Sequence, residues 1–265
     1  MLLPSLLLLS TGLFTGTLLG LLGSGGSILA LPAFLYVAHI PIKSAVATSL
    51  VVVGTTSLVG AVLAQRRCSV HGCPGQEVDP KITLLFALGG VFGAFGGAKL
   101  SHLLPASLQL LLFACVMLGA ALGMFKRKAE PSPQASANTS PLPSFATLGL
   151  GASIGLLTGI VGVGGGFLIV PALSLSAKLP IKRAMNMSLW VIAANSLMGT
   201  LGYIGQVTIQ WHAAGLFLGG SLLGMMAGQS WGRSLSPRRL QVAFACLLVV
   251  IGVFTLAQNV LKHTV

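Results

Sequence analysis

Gly20-Leu-Leu-Gly-Ser-Gly-Gly-Ser-Ile-Leu-Ala-Leu-Pro32 and Gly159-Ile-Val-Gly-Val-Gly-Gly-Gly-Phe-Leu-Ile-Val-Pro171 are two copies of one pattern, 139 residues apart. The register persists beyond the glycines. Pro41, Lys43, Ala45, Ser49, Leu50, Ser57 and Gly60 recur as Pro180, Lys182, Ala184, Ser188, Leu189, Ser196 and Gly199. The chain is therefore read as a duplication, with a first membrane repeat over 1–125, a linker over 126–143 and a second repeat over 144–265. Long repeats too hydrophobic for a soluble domain are a signature of transporter folds, whose broken helices meet near the middle of the bilayer.

Working outward, composition sets the solvent. Of the 265 residues, 54% are hydrophobic and 7% charged, with a mean hydropathy of +0.94, whereas soluble domains carry about 25% charged residues. Apolar runs long enough to span a bilayer fall at Pro4–Leu22, Ala45–Ala64, Ile82–Leu100, Ser107–Phe125, Phe145–Val163, Ala184–Tyr203, Ala213–Trp231 and Leu240–Ala257. Ser27–Ile40 and Phe167–Ala177 are too short to cross comfortably. The expectation is an all-α polytopic membrane protein with about eight spanning helices and two short or re-entrant half-helices after the glycine motifs. The apolar amino terminus lacks the basic start of a secretory signal and is read as part of the first helix.

A net charge of +12 would suggest nucleic acid in a soluble chain. Here the basic residues sit at segment ends, so they mark topology and no nucleic-acid partner is expected. If each motif adds one turn back or one crossing, the halves are inverted. With the amino terminus outside, Arg66, Arg67, Lys81, Lys126, Arg127, Lys128, Lys178, Lys182, Arg183, Arg233, Arg238 and Arg239 then fall inside, against Lys43, Lys99 and Lys262 outside. Treating Pro4–Ile40 as one crossing gives parallel repeats and no bias. The positive-inside rule favours inversion.

A Gly-x-Gly-Gly turn opening a helix offers free N–H groups at the positive end of the helix dipole, an arrangement suited to anions. The candidate ligands are therefore Gly23, Ser24, Gly25, Gly26 and Ser27 in the first turn and Gly162, Gly164, Gly165 and Gly166 in the second. Side-chain hydrogen bonds would come from Thr48, Ser49, Asn186, Ser188 and Asn195, polar groups on predicted membrane helices. Hydroxyls there can also bond back to their own helix. Lys43, Lys182 and Arg183 would attract an anion at the mouths. Gly89, Gly93 and Gly97, like Gly220, Gly224 and Gly228, have the spacing of close helix packing. Trp211 and Trp231 suit an interfacial belt.

Absences narrow the chemistry. Glu77, Asp79 and Glu130 are the only acidic residues and all lie in predicted loops, so no span carries a carboxylate for a cation or for activating water. No catalytic residue, metal site or cofactor is expected. Cys68, His71 and Cys73 cluster in the polar loop Gln65–Lys81 but lack a fourth ligand. Cys115 and Cys246 are read as small apolar fillers. The expected partners are a small anion and the lipid bilayer, and a homo-oligomer is compatible with the sequence. A soft-metal transporter using Met185, Met187 and Met198 ranks lower, because residues two apart do not share a helix face. A non-transporting assembly component is the other rival.

The duplicated Gly-x-Gly-Gly or Gly-x-Gly-Gly-Gly with its following proline, then Pro-x-Lys-x-Ala and Ser-Leu, resembles the sulfite exporter TauE/SafE family of permeases from about Gly12 to Phe254. The copy Gly162–Pro171 is the closer match; Ser24 and Ser27 stand where the second copy has Val163 and Gly166, so the two turns are not chemically equal. The resemblance implies a multi-pass protein of the bacterial inner membrane that moves small anions such as sulfite, sulfoacetate or related organosulfonates.

Overall fold

The computed structural model describes residues 2–22, 27–71, 78–126, 144–161, 166–176, 179, 181–232 and 236–264. Among these residues ten α-helices run in order: α1 (Leu2–Leu22), the short α2 (Ser27–Pro32), α3 (Ile42–His71), α4 (Pro80–Leu100), α5 (Ala106–Lys126), α6 (Ser144–Val161), the short α7 (Gly166–Ser176), α8 (Ile181–Tyr203), α9 (Trp211–Gly232) and α10 (Pro237–Thr264). No strand occurs among the described residues. Among the described residues five helices, not the eight expected, are both long and apolar enough to cross a membrane, within Ser5–Leu22, Ile42–Ser69, Pro80–Leu100, Ser107–Phe125 and Arg238–Ala257. Phe145–Val161 is apolar but shorter.

Local chemistry sets the helix ends. Asp79 caps α4, one carboxylate oxygen accepting from the N–H groups of Lys81 (3.1 Å) and Ile82 (3.4 Å), with Pro80 in the first helical position where no amide is missed. Gly205, at φ +81°, makes the turn between α8 and α9, and His39, at φ +51°, makes the turn before Pro41. Pro32 ends the α-helical part of α2, and the chain continues as a π-turn over Ala33–Val37. A proline removes one donor and crowds the preceding turn, and a wider turn is one way to relieve it.

The structure corrects one boundary. Gln65–His71, expected to open a polar loop, is the last part of α3. Nothing between Gly60 and Gly72 breaks a helix, and polar residues can stay helical once clear of hydrocarbon. At 30 residues, α3 is about 45 Å long, against about 30 Å of bilayer core.

Two helix pairs are packed backbone to backbone. On α1, a Cβ at Gly12, Gly16 or Gly20 would strike the main chain of Phe217, Ser221 or Met225 on α9. Reciprocally, Gly220, Gly224 and Gly228 face the main chain of Leu9, Leu13 and Thr17. In the second pair Gly89, Gly93 and Gly97 of α4 meet Leu148, Ala152 and Leu156 of α6, and Gly151, Gly155 and Gly159 meet Phe86, Gly90 and Ala94. The contacts advance together, so both pairs are parallel. Such close approach is how helices associate where lipid removes the hydrophobic drive. Stripes on α4 and α9 were expected to pack; their partners, Gly12-x3-Gly16-x3-Gly20 and Gly151-x3-Gly155-x3-Gly159, carry the same signal in the sequence.

The centre is the crossing of α3 and α8. Leu50 lies at Gly199, Gly54 at Ser196 and Gly60 at Leu189, so these helices run antiparallel. α5 and α10 also run antiparallel, with Gly252 against Met117 and Leu118 and the Gln241 Nε2 donating to the Met124 carbonyl at 2.8 Å. Two-thirds of the apolar window of α3 is buried, against less than half in the other four spans. α2 packs on α3, α7 on α8, and α2 touches α7. Outward-facing Leu6, Phe14, Phe92, Leu103, Leu223 and Val250 form the apolar surface a lipid environment requires.

Candidate functional site

Both short helices begin inside the protein. Ser27 is 1% exposed and Gly166 is buried. The helices before them also end in the interior, at Leu22 and Val161. Interrupted helices leave orphan N–H and C=O groups, tolerated at this depth only within protein or a cavity. The turns themselves, with the candidates Gly23, Ser24, Gly25, Gly26, Gly162, Gly164 and Gly165, lie outside the described residues.

At the second break, side chains take up the carbonyls that α6 leaves behind. The Tyr203 hydroxyl donates to the Gly159 carbonyl at 3.1 Å, and the Gln109 Nε2 donates to the Ile160 carbonyl at 2.7 Å. Both side chains are buried. Neither was a sequence candidate; the available signal was an aromatic hydroxyl and an amide within otherwise apolar helices.

The hydroxyl candidates are engaged with their own helices. Thr48 donates to the Ser44 carbonyl at 2.7 Å and accepts the Gln210 N–H at 3.2 Å. Ser49 donates to Val46 at 2.8 Å and Ser188 to Met185 at 2.7 Å, equivalent bonds in α3 and α8. All three are buried. Asn186 is half-buried. Asn195 differs: it is fully buried, and neither its amide nitrogen nor its oxygen has a partner among the described residues. Its carboxamide rests against the Cα of Gly90 on α4. The hydroxyls of Ser57 and Ser196, also buried near the α3–α8 crossing, are likewise unpartnered among the described residues.

Thr56 and Ser221 form a closed pair instead, their hydroxyls sharing a hydrogen bond at 3.1 Å between α3 and α9. Beside them lies a cavity of about 10 Å³, bordered by Thr15, Leu19, Ser27, Val53 and Phe217. The cavity joins the start of α2 to the middle of α3.

The basic candidates sit at helix starts. Lys43 opens α3 and Lys182 opens α8, both half-buried. Arg183 is paired, with Nη2 lying 3.8 Å from the second carboxylate oxygen of Asp79. Part of its charge is thus already answered by the cap of α4. The ion pair puts the starts of α4 and α8 at one end of the bundle, while the Gln210–Thr48 bond puts the starts of α9 and α3 at the other.

Cys68 is disulfide-bonded, so its sulfur is no thiolate ligand, and no group of three or more metal-ligating residues occurs among the described residues. Cys115 and Cys246, expected as packing filler, are exposed on the outer face. Met185 and Met187 are both in the core. Trp211 and Trp231, at the two ends of α9, are 68% and 70% exposed, as an interfacial belt requires.

An all-helical chain with lipid-facing apolar surface, interior helix breaks and no carboxylate in its spans has the construction of a multi-pass membrane transporter. Residues 8–255 match the sulfite exporter TauE/SafE family, and the chain belongs to that family. It is 31% identical over 251 residues to a probable membrane transporter protein of Xylella fastidiosa, covering 94% of this chain and 93% of that one. It is 25% identical over 260 residues to the probable membrane transporter protein YunE of Bacillus subtilis, with 93% and 95% covered. A probable membrane transporter protein of Methanocaldococcus jannaschii is 29% identical over 269 residues, with 94% of each chain covered. No solved structure matches.

Proposed function

We propose that this protein is a permease for small anions, specifically sulfur oxyanions or organosulfonates such as sulfite or sulfoacetate, working by alternating access in a bacterial inner membrane. The observation that carries the proposal is the burial of both broken-helix starts, Ser27 and Gly166, in a set of spans without a carboxylate. Buried helix starts present partial positive charge and favour an anion, and no acidic side chain competes for it. The glycines of the two turns would let the backbone reach the cargo, with Lys43 and Lys182 drawing it to the mouths.

Inverted repeats fit the packing. Helices at equivalent places in the two halves, α3 with α8 and α5 with α10, lie antiparallel on one another, as an in-plane two-fold axis demands. The Arg183–Asp79 pair at one end also agrees with the charge distribution that puts Lys81 and Arg183 on the same side. Parallel repeats would separate them across the bilayer. Rocking of one half against the other would then expose the buried helix starts to each side in turn.

The test is flux of radiolabelled sulfite, sulfate, thiosulfate and sulfoacetate in liposomes holding the purified protein. Saturable flux of one of these is expected, and it should be lost when Gly25→Val or Gly165→Val closes a turn. Undiminished flux in both variants would refute the role given to the turns. No flux of any of the four through folded wild-type protein would refute the sulfur-anion assignment.

A further inference from the structure

The two halves share a register but not an interior. With the 139-residue offset that relates α3 to α8, the counterpart of Thr56 is Asn195 and that of Ser27 is Gly166. With the 131-residue offset that relates α4 to α9, the counterpart of Ser221 is Gly90. One contact has therefore been built twice. Between α3 and α9 it is two hydroxyls closed on each other at 3.1 Å, each also within reach of a carbonyl of its own helix, Val52 for Thr56 and Leu218 for Ser221. Between α8 and α4 it is a carboxamide against a bare glycine, with both polar atoms unpartnered among the described residues.

We infer that Asn195 is the side-chain ligand of the cargo, a small oxyanion, and that the equivalent Thr56–Ser221 contact between α3 and α9 binds none. The inference rests on the permease function proposed above. A buried amide without partners is costly, and a fold that accepts the Thr–Ser pair at one of two equivalent contacts has no packing need for the amide at the other. The amide offers two N–H donors to an oxyanion, without the fixed charge that would hold it too tightly to release. Gly90 makes the place for it: a Cβ there would run into the amide of Asn195. The location fits, because in the first half the same position borders the cavity that reaches the start of α2, and Asn195 stands in that relation to the start of α7 in sequence.

The experiment exchanges the two solutions. The double variant N195T/G90S installs between α8 and α4 the hydroxyl pair the fold already accepts between α3 and α9, and T56N/S221G does the reverse. Radiolabelled sulfite and sulfoacetate are the probes, in liposomes, with the Tm of each purified protein measured with and without sulfite. The inference expects N195T/G90S to keep its Tm without sulfite, lose the shift that sulfite gives the wild type, and lose kcat/KM about tenfold or more, the scale of a hydrogen bond to a charged group. T56N/S221G should keep flux within about twofold, well under the effect of one such bond. Wild-type KM and Tm shift in N195T/G90S would overturn the inference while leaving the permease intact. Equal losses in both double variants would overturn it too, by showing two equivalent sites. Wild-type vesicles that carry neither probe would remove the permease proposal and the inference together.

Discussion

The first helix break and the second are spelled alike and held differently. α6 ends with two of its last carbonyls taken by Tyr203 and Gln109, and α7 then continues for 11 residues through Pro171. α1 ends at the buried Leu22, and α2 gives way after six residues to a π-turn beyond Pro32. That turn carries Phe34, whose ring centroid lies 4.9 Å from that of Phe217 on α9, and Tyr36, edge-on to Phe254 of α10 at 5.4 Å. Hydrogen bonds from Tyr203 and Gln109 hold the backbone before the second break, and rings pack beyond the first. Two breaks of like sequence can be backed by unlike side chains.

The most drastic way to break the comparison is to attack what the halves share. Gly16→Val and Gly155→Val each push a side chain into the facing main chain, Ser221 in one pair and Gly90 in the other. Each is expected to cost at least about 3 kcal/mol and to reduce folded, monodisperse protein after purification to a similar extent. Gly96→Val and Gly219→Val, where a Cβ meets nothing within 4 Å, should stay within about 0.5 kcal/mol of wild type. A large difference between the first two would show that the parallel pairs are not energetically equivalent.

A middle-sized effect isolates what they do not share. Tyr203→Phe and Gln109→Leu each leave a buried carbonyl of α6 without its donor, at about 1–3 kcal/mol, read as a lowered Tm. Hydrogen exchange should accelerate at the end of α6 and not at the end of α1. If both ends loosen equally, the two breaks are coupled rather than separately held. The smallest effect belongs to the end of the bundle: Asp79→Asn removes a partly exposed ion pair but keeps a good helix cap, so stability should change by no more than about 1 kcal/mol. That change should shrink at high salt, measured as Tm at two ionic strengths.

Much of this architecture is legible in the chain. The all-helical build, the two short helices and the stripes on α4 and α9 follow from hydropathy, length and glycine spacing; of the eight long runs expected to cross, five are helices long and apolar enough to do so among the described residues. The end of α3 was misplaced because polarity was taken to end a helix that only the edge of the hydrocarbon interrupts. Candidate hydroxyls were chosen by type and position, yet Thr48, Ser49 and Ser188 turn back to their own carbonyls. Only a rotamer distinguishes that from facing the cargo path. Asn195 was visible as a polar residue in a span; that it stands alone, against Gly90, was not.

By itself the sequence determined that this chain lives in lipid, that one glycine pattern is written twice, 139 residues apart, and that its apolar runs hold no carboxylate, since these depend on residue type and spacing along one chain. Tertiary structure alone decided that α1 pairs with α9 and α4 with α6, that Arg183 meets Asp79, and that the contact closed by Thr56 and Ser221 is left open at Asn195. Those facts concern groups on different helices, and spacing along a chain carries no record of which glycine stripe faces which, or of whether a buried polar atom has found a partner.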